Sequence, residues 1–218
     1  MLLGYSEQKG SIGDRFRAKR FKFFESCIAQ LEFPIRILDV GGTVSFWANR
    51  HYLNKNGIHI TLLNLEQQEA NADNLLSVSG DATNLSSYED NEFDLVFSNS
   101  VIEHLYTFEN QKKMALECQR VGRYHFIQTP NKYFFMEPHY QFPFFDQLPK
   151  KVSFWILTKT NLSLGQKWKP EDAKMTLKEI RLLSKKEFQS LFAGSNLYTE
   201  RLLLFSKSFI LHNFNTNL

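Results

Sequence analysis

The chain has 218 residues, of which 43% are hydrophobic and 22% charged, the size and composition of one globular domain rather than a disordered or fibrous protein. A formal net charge of +3 is too small to imply a nucleic-acid partner, and none is expected. The N-terminus has no basic start followed by an apolar run, and no apolar stretch approaches about 18 residues, so a single cytoplasmic domain spanning 1–218 is expected, without leader or membrane span.

From Asp14 to Leu31 the residues Phe16, Phe23, Phe24, Cys27, Ile28 and Leu31 recur at helical spacing, within an N-terminal helical segment of residues 1–33. The opposite face, Arg15, Arg17, Lys19, Arg20 and Lys22, is expected to lie in solvent, with contact to anionic lipid as the lesser alternative. Ile35 to Val40 reads as a short strand, apolar enough for the centre of a parallel sheet. Gly41 and Gly42 break it, and Val44 to Leu53 is predicted helical. Ile58–Leu65, Leu75–Val78 and Phe93–Ser98 are the next strands, followed by a helix over Glu109–Val121 and a strand over Tyr124–Gln128. Cys27 and Cys118 fall in helical patterns and match no metal spacing, so both are expected to be small buried hydrophobes.

Residues 132–169 break the alternation with three of the six prolines and much of the phenylalanine, and read as an inserted lid with one helix near Val152–Leu162. A strand is predicted over Ile180–Leu183, then a helix starting at Ser184, whose Glu187 three residues on makes a capping box. Leu197–Phe205 and Phe209–Asn213 are predicted to pair as an antiparallel hairpin across Ser206, Lys207 and Ser208. The pattern predicts an α/β, Rossmann-like three-layer sandwich. Its seven-stranded sheet is mostly parallel, with a C-terminal antiparallel hairpin and an aromatic lid insertion.

On such sheets ligands bind beyond the carboxyl ends of the strands. After the first strand, Asp39-Val40-Gly41-Gly42-Thr43 is a turn where backbone can approach a ligand closely. The dinucleotide fingerprint fails, because Thr43 and Phe46 stand where it needs glycines. After the second strand, Glu66 can accept both hydroxyl hydrogens of a ribose, and after the third, Asp81 can accept from an adenine amino group.

These stretches, with Leu63-Asn-Leu-Glu66, Gly80-Asp-Ala82 and Glu92-Phe-Asp-Leu-Val-Phe-Ser-Asn-Ser-Val-Ile-Glu-His-Leu105, resemble the class I S-adenosylmethionine-dependent methyltransferases, of the small-molecule type 11 methyltransferase group. The likeness spans roughly residues 30 to 213, and Phe126–Asn131 with Glu137-Pro-His139 resembles a narrower subgroup. It implies S-adenosyl-L-methionine as cofactor, with Asp39, Gly41 and Gly42 at its methionine half and Glu66 at the ribose. Asp81 and the Ala82 amide would then meet the adenine, and Ser98 and Asn99 the amino-acid end. The usual motif continues with glycines where Thr43 and Ser45 stand here, so an altered loop is expected.

Methyl transfer from a sulfonium is an in-line displacement, so the protein mainly aligns the acceptor, and a hydroxyl acceptor also needs its proton taken. His104, with Glu103 beside it, is the candidate for that task. Glu103, His104 and His139 are also cation-ligand types, but in the Glu-x-x-Glu-His motif of some RNA-end methyltransferases the first acid would fall on Ser100, so no metal is expected. Asn99 is not followed by the Pro-Pro-aromatic run of exocyclic-amine methyltransferases. A small-molecule or glycan-type acceptor, methylated on oxygen, is the expected substrate. The alternatives are a non-catalytic S-adenosylmethionine-binding scaffold and, less favoured, a nucleotide-sugar or NAD-dependent enzyme.

Overall fold

The computed structural model describes residues 11–137 and 139–215. The chain opens with α1 (Ile12–Ile28), capped where Ser11 Oγ accepts from the Asp14 amide at 3.0 Å. β1 (Ile35–Val40), α2 (Val44–Ala48), β2 (Ile58–Asn64), β3 (Leu75–Ser79) and β4 (Phe93–Asn99) follow, then α3 (Phe108–Val121) and β5 (Gly122–Pro130). A small ribbon, β6 (Met136–Glu137) and β7 (Phe142–Pro143), precedes α4 (Lys150–Lys159), α5 (Pro170–Glu179) and α6 (Lys185–Leu191). β8 (Asn196–Leu202) and β9 (Phe205–His212) complete the fold.

One seven-stranded sheet runs β3-β2-β1-β4-β5-β9-β8. β1 to β5 pair in parallel, while β9 is antiparallel to both β5 and β8. Because the chain goes outward from β1 to β3 and returns to β4 on the other side, the crevice opens between the carboxyl ends of β1 and β4. The alternation of side chains along β1 divides the core in two. Ile35 and Ile37 pack with Phe24, Cys27 and Trp47 from α1 and α2, whereas Leu38 and Val40 pack with Met114, Cys118 and Phe188 from α3 and α6. Both cysteines are buried, and burial pushes each thiol up to about 12, as inert packing residues require.

Four local expectations need correction. Ile180–Leu183 is not a strand: the edge of β5 it would need is already paired with β9, and only Leu183 makes an isolated bridge, to Asn131. The hairpin turns at Leu203 and Leu204, not at Ser206–Ser208; Ser208 lies within β9, its hydroxyl satisfied by the buried Glu200 carboxylate. α2 stops at Ala48, and the chain turns at His51, whose φ is +59°. α5, which begins at Pro170 in the first turn, was not predicted, so helical structure extends past residue 169. The insertion has a core of its own built on Tyr140, Phe145, Ile156, Leu157 and Ala173. The capping box at Ser184 and Glu187 forms as expected. Among the described residues no helix is long and apolar enough to cross a membrane.

Candidate functional site

The turn after β1 is shaped from below. Asp39 lies on the α2 face of β1, buried, with Oδ2 accepting from Trp47 Nε1 at 2.7 Å. Burial pushes its carboxyl up to about 7, against the opposing effect of the Trp47 bond. A Cβ on Gly42 would overlap that carboxylate, and one on Gly41, at φ +78°, would overlap Val101. Both positions therefore demand glycine. Asn64 Nδ2 and Gln68 Nε2 donate to the Gly42 carbonyl at 2.9 and 3.0 Å, and Gln68 Oε1 accepts from the Val44 amide at 3.2 Å. Thr43, standing where the resembled motif has glycine, is the N-cap of α2, its Oγ1 accepting from the Phe46 amide at 3.2 Å.

Glu66 and Asp81 are exposed just beyond the carboxyl ends of the paired strands β2 and β3. Asp81 Oδ1 accepts from both the amide and the hydroxyl of Thr83 at 2.8 Å, which fixes the turn around Ala82. Ser98 is buried and donates its hydroxyl to the Val40 carbonyl at 2.9 Å, so it ties β4 to β1. Asn99 accepts at Oδ1 from Arg20 Nη1 at 2.5 Å. Arg20 is buried, contrary to the solvated face expected of α1, and its Nε and Nη2 engage the two Glu200 oxygens at 3.2 and 2.5 Å. Beside Asn99, a cleft of about 10 Å³ lined by Arg17, Arg20, Phe46 and Phe97 among others is nearly closed by α1, with room for about one water.

Beyond β4 the chain turns through Ser100, at φ +58°, into a 3-10 turn over Ile102–His104. Gln111 of α3 donates to the Ile102 and Arg181 carbonyls, and the Arg181 amide donates to the Glu103 carbonyl at 2.7 Å. These bonds lock the end of α5 against the turn. They set Glu179 Oε1 2.9 Å from His104 Nδ1. Glu103 is fully buried; Oε2 accepts from Thr129 Oγ1 at 3.0 Å and Oε1 has no hydrogen-bond partner. Burial raises its carboxyl above the ordinary range, although its backbone bond, His104, His139 and Thr129 all act the other way.

From the insertion comes His139, whose Nδ1 lies 2.6 Å from Oε1 of the buried Glu137. Burial alone would lower the His139 pKa, but its bond to Glu137 and the charges of Glu137, Glu103 and Asp146 raise it overall. The His104 and His139 rings meet edge to face with centroids 5.0 Å apart. The structure thus gathers Glu103, His104 and His139 into one cluster. It leaves Glu66 and Asp81 exposed at neighbouring strand ends and Asp39 enclosed beneath the glycine turn. Sequence reasoning missed Arg20, Gln68, Glu137 and Glu179; a bond such as His104–Glu179 joins residues 75 positions apart and has no local signature.

Residues 38–124 match the family model described as a methyltransferase domain. No curated protein matches the chain. Among solved structures, a S-adenosylmethionine-dependent methyltransferase of Methanosarcina mazei aligns at 13% identity, covering 87% of this chain and 95% of that one, with a TM-score of 0.50. A Galdieria sulphuraria protein assigned as a sarcosine dimethylglycine methyltransferase aligns at 18% identity over 92% of this chain and 70% of its own, with a TM-score of 0.54. A Haloferax volcanii protein, solved in complex with the Trm112 methyltransferase activator, aligns at 13% identity over 92% of both chains, with a TM-score of 0.52. At these identities the structures speak for the fold.

Proposed function

We propose that the chain is a class I S-adenosylmethionine-dependent methyltransferase, and that it methylates an oxygen of a small-molecule or glycan-type acceptor. The residues fit the cofactor: two glycines at which a Cβ would overlap Val101 or Asp39 are followed by exposed carboxylates at the ends of the next two strands. Gly41 and Gly42 would lie against the methionine half, Glu66 would accept from the ribose hydroxyls, and Asp81 with the Ala82 amide would meet the adenine. Asn99, with Arg20 holding its side-chain oxygen, would border the amino-acid end, and Ser98 and Asp39 would support that wall from within. When bound, the cofactor supplies a methyl group already activated by a sulfonium charge.

The protein's own work lies at the acceptor. The observation that carries the oxygen assignment is the His104–Glu179 pair. A carboxylate accepts only, so the ring proton sits on Nδ1 and the Nε2 lone pair is left to act on an acceptor hydroxyl. Glu103 lies beside it as a buried acid. Replacing His104 with alanine should lower turnover at least about tenfold, read as S-adenosylhomocysteine release over a panel of hydroxylated acceptors, while calorimetry shows nearly unchanged S-adenosylhomocysteine affinity. An unchanged rate removes His104 from the reaction. Absence of S-adenosylhomocysteine binding removes the methyl-donor site itself.

A second reading, a cofactor-binding scaffold without turnover, is favoured by one feature: Thr43 and Ser45 occupy the later glycine positions and bond to each other at 3.1 Å. That reading expects S-adenosylhomocysteine binding with no release from any acceptor in the panel.

A further inference from the structure

We propose that Glu103, His104 and His139 form a binding site for a divalent cation of the zinc and manganese class, where the insertion meets the end of β4. One donor atom from each residue lies within 4.8 Å of the others. Three features make this more than a cluster of polar groups.

The two histidines are prepared in the same way. Each presents Nδ1 to a carboxylate, Glu179 at 2.9 Å and Glu137 at 2.6 Å. That arrangement fixes the tautomer, turns the Nε2 lone pair outward and raises its basicity, as outer carboxylates do behind metal-bound imidazoles. The supporting acids come from separate elements, α5 and β6, and each is tied down independently. The Tyr106 amide donates to the Glu179 carbonyl at 3.2 Å, and the Tyr140 amide donates to Glu137 Oε2 at 2.6 Å.

Glu103 supplies the second feature. Its carboxylate is fully buried and Oε1 has no hydrogen-bond partner. A buried carboxylate oxygen left without a donor carries the desolvation cost of a charged group and gains nothing in return. A cation between it and the imidazoles removes that cost.

Charge balance is the third. Glu103, Glu137, Glu179 and Asp146 surround two histidines. Arg181, whose amide bonds the Glu103 carbonyl, spends its guanidinium on Gln111 and Glu187. Four carboxyl groups thus gather around two imidazoles, and the Arg181 guanidinium is engaged elsewhere.

Two imidazole nitrogens and one carboxylate oxygen suit zinc, manganese, iron or cobalt better than magnesium or calcium, which take all-oxygen sets. Donor atoms within 4.8 Å of one another lie close enough to share one ion at bonds of about 2.0–2.2 Å after small side-chain adjustment. Three protein ligands leave a coordination position for an oxygen of the acceptor. Use of the ion in turnover rests on the oxygen-methylation reading, whereas its binding does not. A hydroxyl held there would lose its proton to water more readily; with the ion bound His104 would be a ligand and not the base, whereas in the ion-free protein its Nε2 lone pair keeps the base role.

The test is calorimetric titration of Zn²⁺ and, separately, Mn²⁺ into chelator-treated protein, with melting temperature read in parallel. One ion per chain should bind and raise the melting temperature. His139→Ala and Glu103→Gln should each weaken binding at least about tenfold, while His59→Ala, an exposed histidine away from the cluster, should not. Glu103→Gln is nearly isosteric, and His139 lies on the insertion, so a folding defect in one variant leaves the other informative. No binding, or equal binding by wild type and His139→Ala, overturns the proposal. S-adenosylhomocysteine titration of the same samples separates the two readings: cofactor binding without metal binding sinks the ion site alone, and the reverse sinks the methyl-donor site alone.

Discussion

At the proposed cofactor end, Asp39, Ser98, Gln68 and Asn99 each have a protein partner, while at the proposed acceptor end polar groups are arranged and then left open. Asp39 is bonded to Trp47, Ser98 to Val40, Gln68 to Gly42 and Asn99 to Arg20. Beyond β4, by contrast, Glu103 keeps an unpartnered oxygen, and His104 and His139 keep one ring nitrogen each outside their carboxylate bonds. In the proposed reading the first region would recognise by shape, through backbone approached where side chains are absent. The second acts by charge, with buried acids whose cost is offset only when something cationic or protonated arrives. A donor that is the same in every turnover suits a fixed cradle, and an acceptor whose oxygen must change its protonation suits a responsive one.

The sharpest way to break this contrast is to put a side chain into the cradle. Gly42→Ala places a methyl group onto the Asp39 carboxylate, which is backed by Trp47 and cannot retreat without breaking a buried bond. Overpacking of that kind should cost about 1–3 kcal/mol of stability and abolish measurable S-adenosylhomocysteine binding, read by denaturant melts and calorimetry. Retained affinity would show that the glycines are turn residues and nothing more.

Asp39 itself is where the two regions come closest, since it too is a buried acid with one unpartnered oxygen, Oδ1. It differs from Glu103 in having no histidine beside it, and its carboxyl rises to about 7 through burial. The folded state therefore binds a proton more tightly than the unfolded chain, so the stability from this group is full below about pH 4 and is lost as pH rises through about 7. Asp39→Asn removes that loss, and the difference in melting temperature between variant and wild type should move in the variant's favour from pH 5 to pH 8. His125, lowered to about 4 by burial, contributes the opposite slope in both proteins and cancels in the difference. A flat difference curve would place the Asp39 proton elsewhere.

Much of the sheet and of the turn after β1 was legible in the sequence, because those signals are local. A mostly apolar strand, two glycines, and a Ser-x-x-Glu cap each act over a few residues, and the sheet followed from them. What was hidden depends on distant partners. Arg20 sits among basic residues in a helix and reads as solvated, yet Glu200, 180 positions away, draws it inside. Ile180–Leu183 has strand composition, but β9 had taken the edge it needed. The cluster at Glu103 and His104 was recognised as chemistry, while the acids that orient its histidines were not, because Glu137 and Glu179 acquire that role only when the insertion folds back.

The smallest effect on the fold should come from Glu66, and that makes it the cleanest probe of the cradle. Its side chain is exposed at the end of β2, so Glu66→Ala should change stability by less than about 0.5 kcal/mol. Its proposed bonds to the ribose hydroxyls are charge-assisted and worth about 1.5–3 kcal/mol together, so S-adenosylhomocysteine affinity should fall roughly 10- to 100-fold. A ligand lacking one ribose hydroxyl should then lose less on going from wild type to Glu66→Ala than the intact ligand does, because part of the interaction is already gone. Equal losses for the two ligands would mean that the acid acts by general charge and does not touch the ribose. The cradle would then hold its nucleoside through the glycine turn and Asp81, without a ribose contact from Glu66.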